Sequence, residues 1–254
     1  MKNILVAKDL KKVYGDKGNI YTALNGVDLE IKEGEFIGIM GPSGSGKTTL
    51  LNIISTIDKA TSGSVFIDKE DITKMKDKSL ARFRRESLGF IFQDFNLLDT
   101  LTIKENIALP LALAKVNNKK LQKKVKDIAT LLGIDDLLNK YPYEVSGGQK
   151  QRTAAARAII TRPSLVLADE PTGALDSKSS KELLEALGEL NKNENATIMM
   201  VTHDAFAASY CKRVLFIKDG LICNEIHNSS NRKAFFQDIL EIMSSLGGDS
   251  SAVI

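Results

Sequence analysis

Three short stretches of this 254-residue chain bring together side chains that could do chemistry. The first is GPSGSGKT, in which Gly41, Pro42, Ser43, Gly44, Ser45, Gly46, Lys47 and Thr48 match the pattern G-x-x-x-x-G-K-[ST] of a phosphate-binding loop. A loop of this composition has no packing value of its own. Gly44 and Gly46 let the backbone wrap close to phosphate oxygens, because no Cβ stands in the way. The amides that open the following helix point at the anion, and the helix dipole favours it. Lys47 is placed for the β- and γ-phosphates of a triphosphate and Thr48 for Mg²⁺, with Thr49 next in line. The second stretch is LVLADEP, 165 to 171. Asp169 ends a buried apolar strand, at the edge where α/β sheets bind ligands, and would hold Mg²⁺ mostly through water. Glu170 follows it, positioned to orient or deprotonate an attacking water. The third is VSGGQKQR, 145 to 152, where Ser146, Gly147 and Gly148 open a helix and form a second anion-binding terminus. Residues 41–48 already surround one triphosphate, so the economical reading is that this terminus binds the nucleotide of another copy.

These residues need strands and helices to hold them. EFIGIM (35–40) is a near-continuous apolar run, as expected for a strand buried on both faces of a parallel sheet, and KTTLLNIIST continues it as a helix. ILVAKDL (4–10) and GVDLEI (26–31) alternate and predict an antiparallel pair joined through YGDKGN (14–19). GSVFID (63–68) predicts a strand, LARFRRESLG a charged helix and FIFQ a short strand. Between them and the return of strand signals lie three helical patterns, 103–116, 119–134 and 147–160. Strand SLVLAD (164–169), helix SSKELLEALGEL (179–190), strand TIMMVTH (197–203) and a hairpin over 213–226 turning at Asp219-Gly220 complete the pattern. Strands alternating with helices predict a mainly parallel sheet, and the helical stretch reads as an insertion into an α/β core.

Composition excludes several classes. Net charge is +3, from 35 basic and 32 acidic residues, too balanced to argue for nucleic acid. The two cysteines, Cys211 and Cys223, form neither a CxxC pair nor a disulfide framework, which fits a reducing cytosol. The opening MKNILVAKDLKK has an apolar run too short for a signal peptide, and IALPLALA (107–114) is far below the ~20 residues that span a bilayer. If this chain serves a membrane, another chain supplies the membrane part. The basic stretch 115–127 reads as a solvated helix face ahead of a lipid-phosphate contact. AFFQDILEIMSSL (234–246) reads as a helix packed on its own chain ahead of one that meets a second subunit.

VSGGQKQR resembles the signature sequence of ATP-binding cassette (ABC) ATPases, and the other marks of that family follow in order. Tyr14 matches the aromatic that stacks on adenine, Gln93 in FIFQDFNLL the Q-loop glutamine, GALD (173–176) the D-loop and His203 in VTHD the switch histidine. The resemblance covers essentially the whole chain, with Val145 standing where the family more often has Leu. It implies a P-loop NTPase (RecA-like) α/β core with a mainly parallel sheet, an N-terminal antiparallel β subdomain and an inserted α-helical subdomain. The chain is then one domain over 1–254: residues 1–96 and 163–226 form the core, 97–162 the helical subdomain and 227–254 a C-terminal helical extension. The cofactors implied are ATP and Mg²⁺, with catalytic roles for Glu170, His203 and Gln93, Mg²⁺ near Thr48, Gln93 and Asp169, and Gln149 joining Ser146, Gly147 and Gly148 at the nucleotide. The family works as a head-to-tail dimer with a membrane permease, docked through a groove near Phe92, Phe95, Asn96 and Leu97, so the chain is expected at the cytoplasmic face of the membrane. Stretches such as LGFIFQDFNLLDTLTIKENI resemble the macrolide-exporter and lipoprotein-release branch, and SGGQKQRTAAARA, VTHDAFAASYCKRV and FFQDI resemble bacitracin-type peptide-resistance ATPases of Gram-positive bacteria, often linked to a sensor histidine kinase through the permease. An ATPase of a macrolide-export or lipoprotein-release complex, or an ABC ATPase acting on nucleic acid or ribosomes, stays the alternative. Only 53 residues separate Gln93 from Ser146, which leaves no room for the long coiled coil of chromosome-type members. No nucleic-acid partner is expected.

Overall fold

The computed structural model describes residues 2–16, 18–229 and 231–247. In chain order its first elements are β1 (Asn3–Tyr14), β2 (Tyr21–Lys32), β3 (Phe36–Met40), α1 (Lys47–Ile54), β4 (Ser62–Ile67), β5 (Glu70–Asp71), α2 (Asp77–Ser87) and β6 (Leu88–Ile91). Three helices follow, α3 (Ile103–Leu113), α4 (Asn118–Leu131) and α5 (Gly147–Ile159). The chain then runs through β7 (Leu165–Asp169), α6 (Ser177–Glu194), β8 (Ile198–Val201), α7 (Ala205–Ala208), β9 (Arg213–Lys218), β10 (Leu221–His227) and α8 (Arg232–Gly247).

Two sheets result. One is antiparallel, in the order β2-β1-β4-β5; the other runs β10-β9-β3-β8-β7-β6, parallel except at the β10 edge. Side chains alternate faces along a strand, and the parallel sheet uses both faces. Ile37, Ile39, Leu167, Met199 and Leu215 join the core shared with the antiparallel sheet and with Leu50, Leu51, Ile53 and Ile54 of α1. Their neighbours Phe36, Met40, Val166, Ala168, Met200 and Phe216 join the opposite core, under α3 to α8. That is why β3 and β8 are unbroken apolar runs, and why α1 ends up enclosed between sheets with its first residue, Lys47, at the sheet's edge.

Several boundaries move from the sequence expectation. FIFQ predicts a strand over 90–93, but β6 starts at Leu88, because Leu88 to Ile91 pair with Leu165 to Ala168 of β7. The charged helix accordingly stops at Ser87. The N-terminal hairpin is longer than 4–10 and 26–31, since pairing extends to Tyr14 opposite Tyr21. Helix α8 packs on its own chain through Phe235 and Ile239, both buried; residues 248–254 of the expected extension lie outside the described residues. On α4, Leu121, Val125 and Ala129 are buried and Lys119, Lys120, Lys123 and Lys126 exposed, a solvated basic face. Among the described residues no helix is long and apolar enough to cross a membrane.

Candidate functional site

Four adjacent parallel strands deliver the site. Across β3, β8 and β7, Ile39, Val201 and Asp169 stand in register, and Ile91 of β6 lies beside Ala168. Neighbouring strands are about 4.8 Å apart, so the loop after β3 and Asp169 of β7 lie roughly 10 Å from each other. Loop 41–46 leaves β3, Thr202 and His203 leave β8, Glu170 follows β7 and Gln93 lies just past β6.

The phosphate loop has the shape its sequence demands. Gly44 has φ 76° and Gly46 φ 107°. A Cβ at Gly44 would meet nothing within 4 Å, whereas one at Gly46 would lie 2.4 Å from the Ala23 carbonyl oxygen. The loop is therefore open on the Gly44 side and pressed on the antiparallel sheet at Gly46. Lys47 Nζ donates to the Gly41 and Pro42 carbonyls at 2.9 and 2.8 Å. Burial lowers the Lys47 pKa, and the Glu170 and Asp169 carboxylates oppose that shift. All three charges thus share one cleft. Ser45 Oγ is buried with no hydrogen-bond partner, an orphaned polar atom inside the same loop. Pro42, Ser43, Thr48 and Thr49 are half-buried or exposed along its rim.

Asp169 is half-buried, and burial followed by the neighbouring Glu170 charge raises its pKa, with Lys47 acting against them. Glu170 has φ 46°, left-handed for a residue with a full side chain. Its Oε1 stands 2.8 Å from His203 Nδ1. An ionised carboxylate only accepts, so Nδ1 carries the proton. Gln93 packs on the segment after Glu170: a Cβ at Gly173 would lie 3.0 Å from its Cδ. Thr48, Asp169 and Gln93 offer only oxygen donors, the set Mg²⁺ prefers. Among the described residues no group of three or more His, Cys, Asp and Glu could hold a metal, so a cation here would draw on nucleotide oxygens, as Mg²⁺ does at phosphate sites. The open glycine loop, the buried ammonium and the orphaned Ser45 hydroxyl fit a nucleotide phosphate chain.

Tyr14 closes β1 and is 38% exposed. Its hydroxyl donates to Asp58 at 2.7 Å, and Lys12 Nζ sits 4.6 Å from the ring centroid. Burial and Asp58 raise the hydroxyl pKa, against a contact with Thr49 that places the ring beside the start of α1. Ser146 caps α5 by a reciprocal box: its hydroxyl accepts from the Gln149 amide and its own amide donates to Gln149 Oε1. Ser146 is exposed. Behind it, Gly147 lies against Phe95 and Leu175, and Gly148 against Ser179, whose Oγ is 2.6 Å from where a Cβ would stand. These neighbours belong to the Q-loop and D-loop regions, and α5 packs chiefly on α3, β6, α6 and α4. A groove of about 570 Å³ between α2, β6, α3 and α5 is lined by Phe90, Phe92, Leu109 and Pro110 with Arg84 and Arg85. Asn96 also lines it, whereas Phe95 turns to Gly147.

Three residues at the site went unread in the sequence. Tyr21 donates from its hydroxyl to the Gly44 carbonyl at 2.8 Å. Gln151, fully buried on α5, donates to the Phe92 and Pro171 carbonyls, and Arg157 donates to those of Phe95 and Asn96. The one sequence signal for Gln151 is a polar residue on the stripe Gly148, Ala155, Ala158, all of them buried.

The ABC transporter family model matches residues 24–173, more than half of the chain. Over 246 residues the chain is 55% identical to the bacitracin export ATP-binding protein BceA of Halalkalibacterium halodurans, covering 96% of this chain and 97% of that one. It is also 55% identical to the ABC transporter ATP-binding protein YxdL of Bacillus subtilis, over 99% of this chain and 97% of that one. Among solved structures, the dimeric post-hydrolysis state of the ATP-binding cassette MJ0796 of Methanocaldococcus jannaschii, bound to ADP and Pi, is 40% identical with a TM-score of 0.79, covering 88% of this chain and 98% of that one. With the phosphate loop, the Asp169-Glu170 strand end and the capped signature helix in one architecture, the chain belongs to the ABC transporter family as an ATP-hydrolysing, ATP-binding subunit.

Proposed function

We propose that two copies of this chain close head to tail on two ATP molecules and drive a separate permease that handles bacitracin-like peptides. The observation that carries the two-copy reading is the exposed, capped Ser146 terminus of α5, whose flanking glycines lie against Phe95, Leu175 and Ser179 while the phosphate loop is built around Lys47 on α1. In this reading Tyr14 stacks on adenine, and residues Gly41 to Thr49 hold the phosphates, with Lys47 exchanging the Gly41 and Pro42 carbonyls for phosphate oxygens. Ser146, Gly147, Gly148 and Gln149 of the other copy complete the γ-phosphate site. Thr48, Gln93 and Asp169 would hold Mg²⁺, which would neutralise charge on the phosphates. Glu170 takes the proton of the attacking water on Oε2, because Oε1 is held by His203, and that bond fixes the carboxylate's orientation.

The groove beside Phe92 is assigned to the permease, with the chain held at the cytoplasmic face of the membrane by that contact. The peptide assignment rests on the 55% identity to BceA. A sensor histidine kinase reached through the permease is proposed as a further partner on the family resemblance alone.

Mixing Lys47→Ala with Ser146→Arg chains tests the trans arrangement. Charge-assisted hydrogen bonds contribute ~1.5–3 kcal/mol each, so Lys47→Ala alone should bind ATP roughly tenfold to a hundredfold more weakly. In a mixed pair one site carries both lesions and the other neither, so the mixture should hydrolyse ATP where each variant alone does not. No recovery, together with a strictly linear dependence of wild-type rate on protein concentration, would refute it. Reconstituted with its permease partner, the complex should hydrolyse ATP faster when bacitracin is added; an unchanged rate would remove the peptide assignment.

A further inference from the structure

Gln151 is 0% exposed, and its Nε2 donates both protons to main-chain carbonyls, Phe92 at 2.9 Å and Pro171 at 2.7 Å. Phe92 immediately precedes Gln93, and Pro171 immediately follows Glu170. One amide therefore ties the start of the Q-loop to the turn carrying the hydrolytic carboxylate, and ties both to the helix that Ser146 opens. Arg157, further along α5, holds the same loop at Phe95 (3.0 Å) and Asn96 (2.5 Å), where both residues have left-handed φ, 61° and 49°.

The tie falls where the backbone needs it. A left-handed, side-chain-bearing residue such as Glu170 persists only when its surroundings over-determine it. Its amide donates to the Val201 carbonyl at 2.9 Å, and its carbonyl accepts from the Gly173 amide at 2.9 Å. Gln151 adds a third restraint one residue on, from a different layer of the molecule. A space-filling role does not explain this side chain. It sits among Gly148, Ala155 and Ala158, and its Oε1 is buried with no partner. Burying a half-satisfied amide costs stability that an apolar side chain of the same length would not.

We propose that Gln151 is a positioning residue for ATP hydrolysis. It sets Gln93 and Glu170 relative to the signature end of α5, so that a displacement of that helix on closure reaches both groups together. The inference rests on the catalytic roles assigned above to Glu170 and Gln93.

Gln151→Met keeps the length and removes both donors. In the full-length chain, kcat should fall at least tenfold while the Kd for ATP, measured without Mg²⁺, stays within about twofold. Gln151→Glu supplies the second arm. A protonated carboxyl has one O–H donor, and an ionised one has none and repels both carbonyls. Burial raises that carboxyl's pKa, so kcat relative to wild type should rise as pH is lowered from 8 to 6. Melting curves at each pH restrict the comparison to folded protein, where a residue that merely fills space produces no such profile. Wild-type kcat in Gln151→Met, or a Gln151→Glu profile parallel to wild type, would overturn the proposal; if the Met variant does not fold, the Glu profile decides. A Glu170→Gln control separates the two levels. If Glu170→Gln still hydrolyses ATP, the catalytic reading has failed. If it is inactive while both Gln151 variants behave as wild type, only this inference has failed.

Discussion

Replacing Gly44 and Gly46 one at a time with alanine should produce two different failures in one loop. Both have left-handed φ, 76° and 107°, which costs an L-residue about 1–2 kcal/mol. At Gly44 that is the whole conformational penalty, because the methyl group would meet nothing within 4 Å. At Gly46 it would stand 2.4 Å from the Ala23 carbonyl and 3.0 Å from Leu24 Cδ2, so backbone must shift. Such overlap adds about 1–3 kcal/mol, for a total of roughly 2–5 kcal/mol. A chain of this size loses about 2–4 °C of Tm per kcal/mol, which places Gly44→Ala a few degrees below wild type and Gly46→Ala well beyond that. Ligand behaves in the opposite order. ATP at a hundred times its Kd should add about 2.7 kcal/mol to the wild-type fold. In Gly44→Ala this gain should vanish, because the methyl occupies the open concavity in which phosphate oxygens must sit. Thermal melts with and without ATP read both effects at once. A full wild-type ATP shift in Gly44→Ala would refute the phosphate cradle, and a Gly46→Ala melt within a degree of wild type would refute the contact with Ala23.

Two further outcomes follow from the same cleft. Glu170→Gln should bind ATP with near wild-type affinity, hydrolyse it slower by a factor of ~10² or more, and elute as an ATP-bound dimer on size exclusion; wild-type turnover would contradict the role of the carboxylate. Asp169→Asn should melt above wild type at pH 7 without nucleotide, yet lose the Mg²⁺-dependent part of ATP stabilisation. The sign comes from linkage: burial and Glu170 raise the folded-state pKa above the ordinary 3.8, so native Asp169 holds its proton more tightly than the unfolded chain does and stability falls as pH rises through that interval. The advantage of Asn should therefore close as the pH approaches 4, and an Asn variant less stable than wild type at pH 7 would contradict it.

The residues assigned above to a nucleotide were readable because binding a phosphate chain, a cation and an attacking water would restrict both residue type and local spacing. Gly41 to Thr48 and Asp169-Glu170 are each contiguous, so one short window contains the whole requirement, and the structure places them at one edge of one sheet. Strand and helix alternation likewise carried the core, because β3, β7 and β8 are buried on both faces and look it. The boundary at Leu88 was misread for a tertiary reason: Leu88 and Gly89 continue a helical pattern locally, and what makes them strand is pairing with Leu165 and Val166, far along the chain. The contact between His203 and Glu170 depends on which strands are neighbours, a fact set by the β3-β8-β7 order rather than by either motif.

The unread residues share a different property. Tyr21, Gln151 and Arg157 all donate to main-chain carbonyls, at Gly44, at Phe92 and Pro171, and at Phe95 and Asn96. Every residue owns a carbonyl, so such an acceptor leaves no trace in residue type, and the donor is visible only as a polar side chain out of place on a buried face. The loops they hold include Glu170, Phe95 and Asn96, all with left-handed φ and none of them glycine. A sequence read residue by residue assigns those positions to ordinary turns, because their side chains are wanted for other purposes and the strain is met by partners elsewhere. The site is therefore half local and half distributed: the phosphate-loop and strand-end groups are specified where they stand, and the contacts that hold their loops are specified elsewhere, by Tyr21 on β2 and by Gln151 and Arg157 on α5.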